Sequence, residues 1–307
     1  MNKVILFIVG PTAVGKTEVA CALSKKIPLE IISCDSMQVY REMDILSCKP
    51  SKRIRNQVSH YLVDVVSVED DYSVADYEKE ARPAINKILD GRSTPCVVGG
   101  SGLYMSVLLD GLFSEGKQDL RLREVLKKEA DTFGNEYLYE RLKKVDQEAA
   151  VKIHPNDLRR IIRALEVFEI TKTPISKLQK QRQGLWEKAV VKLFCLNRPR
   201  EELYTRIDSR VENMFKQNAV EEVKNLLGHN LSKTAAAVIG IKEIKGFLNG
   251  DYGLVEAKRL MQQNSRRYAK RQLTWFRKDK RLQWLEIKAT EKPEETAERI
   301  LKELSKS

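Results

Sequence analysis

Residues 10–17 read GPTAVGKT, a glycine and four variable positions followed by Gly-Lys-Thr. These types at this spacing can hold a phosphate. Gly10 and Gly15 let the run Gly10, Pro11, Thr12, Ala13, Val14, Gly15, Lys16, Thr17 wrap with backbone N–H groups turned inward, and a helix beginning there adds its positive end. Lys16 can reach a terminal phosphate, and the Thr17 hydroxyl can serve as a ligand to Mg²⁺. The same cradle serves a nucleotide in phosphoryl transfer or a diphosphate about to leave carbon, so the loop specifies an anion and not a reaction.

Asp35 follows the apolar run LEIISC directly. At the C-terminal edge of a parallel sheet its carboxylate would stand beside the cradle, where reactants meet. An aspartate at such a position also commonly caps the next turn, and position alone leaves both roles open. A phosphoryl-transfer enzyme with this loop commonly places an acidic metal ligand at the end of a neighbouring strand. Here the segment PCVVGGSGLY ends in glycines and Ser101, and Asp64 in YLVDVV is a substitute with no local support.

Basic residues cluster as well. Arg159, Arg160 and Arg163 share a helical turn, and Arg266, Lys270 and Arg277 recur at near-helical spacing in RRYAKRQLTWFRKDKR. Each alone could be a solvated face; together they suit phosphates. The interleaved Tyr268, Trp275 and Phe276 could stack on unpaired bases or belong to the core. The whole chain of 307 residues has 55 Lys and Arg against 43 Asp and Glu, a formal charge of +12, which favours a polyanionic partner.

Its five cysteines form no C-x-x-C pair and its three histidines stand apart, so zinc spacing is absent and a reducing, cytoplasmic setting is expected. The apolar run 4–9 is short for a signal sequence, and no run reaches the roughly 18 apolar residues of a membrane span, so no membrane partner is expected.

The elements that must position these residues are those of an α/β protein. Val4–Val9 reads as a buried parallel strand before the loop, with further strands at Leu29–Ser33, PCVVGG, Val190–Leu196 and LQWLEI, separated by helical stretches. Between about 111 and 192 the pattern is helical without a convincing strand. One helix there, LRRIIRALEVFEI, is delimited by Asn156 or Asp157 as cap and Pro174 beyond its end. The expected organisation is a P-loop core from 1–114 and 192–290, an inserted helical domain at 115–191, and a charged tail at 291–307.

Seven blocks, GPTAVGKT, ISCDSMQVYREMDI, SHYLVDVVSVEDDYSVADYEKEA, VVGGSGLYMSVLLDGL, HPNDLRRIIRALEV, VIGIKEI and NSRRYAKRQLTWFR, occur in the order seen in tRNA dimethylallyltransferases, which the chain resembles over nearly its whole length. The resemblance implies a P-loop NTPase-like parallel sheet wrapped by helices with an inserted all-helical domain. It implies transfer of a dimethylallyl group from dimethylallyl diphosphate to N6 of the adenosine 3′-adjacent to the anticodon of tRNA, with Mg²⁺. Asp35 then becomes the general base for a poorly nucleophilic amino nitrogen, helped by a base that is extruded from the anticodon loop. Asp35, Ser36, Met37 and Gln38 match the block that meets the target nucleotide. Ser101, where the family has threonine, matches a donor to the bridging oxygen, and Arg210 a diphosphate ligand. Arg123 and the run Arg159, Arg160, Ile161, Ile162, Arg163 match tRNA contacts. A monomer is expected. The competing readings are a nucleotide kinase, a nucleic-acid-binding module with a regulatory nucleotide site, and a prenyltransferase acting on free adenine nucleotides.

Overall fold

The structure, a computed structural model, describes residues 4–113 and 118–306. Six parallel strands form one sheet: β1 (Val4–Val9), β2 (Leu29–Cys34), β3 (His60–Tyr61), β4 (Thr94–Gly99), β5 (Val190–Asn197) and β6 (Gln283–Glu286), in the order β3-β2-β4-β1-β5-β6. The helices before the insertion are α1 (Lys16–Ser24), α2 (Lys52–Gln57), α3 (Val74–Asp90) and α4 (Gly102–Asp110). Those of the insertion are α5 (Leu120–Phe133), α6 (Asn135–Val145), α7 (Gln147–Lys152), α8 (Leu158–Thr171) and α9 (Ile175–Lys180). After it come α10 (Arg200–Lys216), α11 (Ala219–Leu226), α12 (Ile241–Leu248), α13 (Leu254–Phe276) and α14 (Pro293–Ser305).

The β1 sequence VILFIV is apolar at every position because both faces of a central parallel strand are covered. Leu6 and Ile8 point to the side where Val19, Leu23, Ala297 and Ile300 pack; Phe7 lies on the other, by the two-residue period of a strand. The register sets Val9 opposite both Gly99 and Cys195, and Cys34 opposite Gly99. β1, β2 and β4 therefore end at one level, and β5 runs two residues further. The chain leaves β1 at Gly10, β2 at Asp35, β4 at Gly100 and β5 at Arg198, so residues far apart in sequence meet at the C-terminal edge of the sheet.

Two compact units are present, residues 1–109 with 188–307, and residues 110–187. The sequence reading set the insertion at 115–191; its first boundary, between 114 and 115, lies outside the described residues. Within the second unit Leu126, Leu138, Leu142, Ile161 and Leu165 form a separate core, and its described elements are all helices. Asp157 caps α8 by accepting from the Arg160 N–H, which decides between the two expected caps.

The charged segment expected after 290 holds a helix: α14 is amphipathic, with Ala297 and Ile300 fully buried beside α1. Charges on its outer face masked the apolar stripe. The strand β3 was missed because its two residues give no readable alternation.

Candidate active site

The phosphate-loop geometry follows from its backbone. Gly10 (φ 147°), Ala13 (φ 64°) and Gly15 (φ 109°) occupy positive-φ conformations, the turns that curl a chain around an anion. Gly10 has a second reason to be glycine, since a Cβ there would lie 2.5 Å from the Leu196 carbonyl oxygen. Two arginines hold the loop: Arg206 Nε donates to the Ala13 carbonyl at 2.8 Å and Arg198 Nε to that of Val14 at 2.9 Å. These bonds fix the turn of the loop.

That cavity has a volume of about 780 Å³ and is lined by Thr12, Ala13, Gly15, Lys16 and Thr17 from the loop, Asp35 and Gln38 from the end of β2, and Arg210 from α10. A second cavity of about 220 Å³ shares Thr12, Asp35, Arg210 and Tyr268 with it and adds Ser36 and Met37. Its remaining walls include Leu46, Val211, Met214, Val238 and Met261. The two chambers adjoin at Asp35, and the smaller adds a group of apolar side chains to its polar ones.

Lys16 Nζ donates to the carbonyls of Gly10 (3.1 Å) and Pro11 (2.8 Å). Burial lowers its pKa to about 8, with Asp35 opposing the shift and Arg210 adding to it. Arg210 is enclosed by Cys48 and Thr12: Nε donates to Cys48 Sγ at 2.6 Å and Nη1 to Thr12 Oγ1 at 3.0 Å. Burial would lower its pKa, yet Cys48 and Asp35 carry it upward, so it stays cationic. Lys16, Arg210 and Asp35 share the larger chamber, whose lining also includes Lys49, Arg206 and Glu18.

Asp35 Oδ1 accepts from the Met37 N–H at 2.9 Å, so the turn-capping role is present. It coexists with exposure to both cavities. Gln38 is fixed by Ser33, whose Oγ donates to its Oε1 at 2.9 Å. Ser101 Oγ accepts from the Ser36 N–H at 3.0 Å. A hydroxyl that accepts in this way keeps its own proton to donate.

Asp64, weighed as a metal carboxylate, instead pairs with Lys49 at 2.6 Å and Arg55 at 2.5 Å. Among the described residues no three His, Cys, Asp or Glu side chains group as a metal cage. The Thr17 hydroxyl at a phosphate cradle fits Mg²⁺, which retains waters and is shared with phosphate oxygens.

Sequence reasoning missed Gln272. Its Oε1 accepts from the Thr12 N–H at 2.8 Å and its Nε2 donates to the Gly100 carbonyl at 2.9 Å, bracing the loop against the end of β4. The signal available was a polar residue on the same helical face as Tyr268, one turn away. On α13 the alternatives left open resolve: Phe276 is core, Trp275 is partly exposed with its indole over Gly102, and Arg266 is ion-paired to Asp208. Lys270 and Arg277 are exposed.

In the helical unit Arg159 and Arg160 are exposed on α8, and Arg123 (α5) and Arg163 (α8) are half-buried. Ile161 is fully buried and Ile162 packs against the same core. The expectation that all of 159–163 meets RNA is corrected for the Ile161 side chain, which the helical period turns inward.

The IPP transferase family model matches residues 38–279. The tRNA dimethylallyltransferase of Halothermothrix orenii is 44% identical over 93% of this chain and 88% of its own length. That of Alkaliphilus oremlandii is 43% identical over 99% of this chain and 97% of its own length. Among solved structures, the full-length tRNA isopentenylpyrophosphate transferase of Bacillus halodurans superposes with a TM-score of 0.72 at 35% identity, covering 100% of this chain and 98% of that one. A eukaryotic dimethylallyltransferase acting on tRNA gives 0.78 at 28% identity, covering 92% and 74%.

Proposed function

Because this chain belongs to the IPP transferase family, we propose that it transfers the dimethylallyl group of dimethylallyl diphosphate to N6 of the adenosine 3′-adjacent to the anticodon (tRNA position 37), releasing diphosphate. The observation that carries this reading is the meeting of Asp35 with Lys16 and Arg210 in one cavity. A proton acceptor and an anion trap thus line the same space.

The diphosphate lies in the loop, held by backbone N–H groups, Lys16 and Arg210. Asp35 takes a proton from the amino nitrogen as its lone pair forms the new bond to the allylic carbon. The electrons of the breaking C–O bond pass to the diphosphate, and the Ser101 hydroxyl donates to the bridging oxygen. Donors aimed at the departing oxygens interact more strongly as charge gathers there, which lowers the barrier. The apolar walls of the second cavity remove water from the allyl group and the adenine face. Mg²⁺, held by Thr17 together with phosphate oxygens, would neutralise part of the diphosphate charge.

Arg123, Arg159, Arg160 and Arg163 are the tRNA contacts in this reading, supported by the exposure of Arg159 and Arg160 and by the charge of +12. The protein acts as a cytoplasmic monomer, a placement supported by its five free cysteines; no described helix is long and apolar enough to cross a membrane. Incubation with labelled dimethylallyl diphosphate, Mg²⁺ and either unmodified tRNA or AMP tests the assignment. Label on tRNA is expected; label on AMP alone overturns it.

A further inference from the structure

Glu166 occupies an unexpected place for a carboxylate. It lies on α8 one turn after Arg163, its side chain 0% exposed, within the group of arginines assigned to tRNA. Arg123 grips it with two bonds, Nε to Oε1 at 2.8 Å and Nη2 to Oε2 at 2.9 Å. Arg163 Nη1 donates to Oε2 at 2.6 Å, and the Asp119 N–H to Oε1 at 2.8 Å. Each oxygen therefore accepts two hydrogen bonds. Both arginine side chains remain 34% exposed. Burial pushes the Glu166 pKa up, but Arg123, Arg163 and the Asp119 amide outweigh it and hold the group below the usual carboxylate range.

A fixed negative charge inside a basic face opposes a polyanion unless it organises the cations around it. Two guanidiniums on one carboxylate keep a net positive charge. They also give up their rotamer freedom before any phosphate arrives, so less entropy is lost on binding. Planar guanidinium forks recognise phosphate oxygens best at set angles, and a shared carboxylate fixes those angles. The Asp119 contact ties the start of α5 to α8, so both arginine-bearing helices are registered by one side chain.

We propose that Glu166 is a positioning residue for tRNA recognition, holding Arg123 and Arg163 in the orientation that meets the RNA backbone. This rests on the reading of the protein as a tRNA-modifying enzyme. The alternative is a staple that stabilises the helical unit and nothing more.

The two differ in a binding cycle with unmodified substrate tRNA, using Glu166→Gln, Arg123→Ala and the double variant, each below its melting temperature by circular dichroism. Loss of the preset orientation should raise the tRNA Kd by about 10-fold in Glu166→Gln. The KM for dimethylallyl diphosphate at saturating tRNA should stay unchanged, and the same change should have a smaller effect once Arg123 is alanine, the remainder acting through Arg163. Glu166→Asp, which keeps the charge, should recover part of the affinity. A lowered Tm with unchanged tRNA Kd, or effects that simply add in the double variant, would overturn the proposal. If the unsubstituted protein failed to bind tRNA in the same assay, the functional reading would fall first.

Discussion

Thr12 and Gln272 are separated by 260 positions in the chain, yet the Thr12 N–H donates to Gln272 Oε1 at 2.8 Å. The other end of the same amide reaches Gly100, the residue before Ser101. One buried side chain thus links the loop at Thr12 to the residue before Ser101, the hydroxyl proposed to donate to the leaving oxygen. Gln272→Ala should raise the KM for dimethylallyl diphosphate and lower kcat together. It should also destabilise the fold by about 1–3 kcal/mol, as two buried backbone groups lose their partner. Steady-state kinetics and denaturant melts check both, and unchanged kinetics with reduced stability would make Gln272 a purely structural brace.

Asp35→Asn keeps the shape of the turn and its bond from the Met37 N–H while removing the proton acceptor. The single-turnover rate of prenyl transfer should fall by about 10²–10⁴-fold. The tRNA Kd should change little. A rate within a factor of two of the original would remove Asp35 as the base.

Lys16 introduces a pH dependence. With its pKa lowered to about 8 in the ligand-free site, it is charged below that pH and loses its charge above it. Competitive inhibition by inorganic diphosphate should therefore weaken as pH rises through about 8. For stability the sign is opposite. The unfolded chain, with the ordinary lysine pKa of 10.5, binds more protons between the two values, so this group's contribution to stability rises with pH across that window. An inhibition constant flat from pH 7 to about 9.5 would contradict the role of Lys16 charge in anion binding.

Gly99 has no room for a side chain: a Cβ would lie 2.0 Å from the Cys34 carbonyl oxygen on the neighbouring strand. Gly99→Ala must push β4 from β2 where Asp35 and Ser101 leave the sheet. A loss of about 3 kcal/mol or more in unfolding free energy is expected, measured by chemical denaturation, together with loss of transfer activity. Wild-type stability would show that the strands part without cost.

Part of this was legible in order along the chain. The phosphate loop and the strand before it are contiguous, so their types and spacing declare them. Asp35 directly follows an apolar strand, and that adjacency was readable too. The extent of α8 came from local residues, which also narrowed its cap to Asn156 or Asp157. Other features depended on distant partners. The inward turn of Ile161 was hidden by basic neighbours, and the apolar side of α14 by charges on its outer face.

The amino-acid order by itself determined which backbone could curl around an anion, which strands could be buried on both sides, and that the molecule carries excess positive charge, because these depend on residues within one segment or on a simple count. Only the tertiary structure decided that Gln272 braces the loop, that Arg198 and Arg206 hold its carbonyls, and that Glu166 gathers two arginines. Each of those is a buried or part-buried polar group satisfied by a partner on another element, and hydrogen-bond satisfaction across elements is settled by packing, which no local pattern encodes.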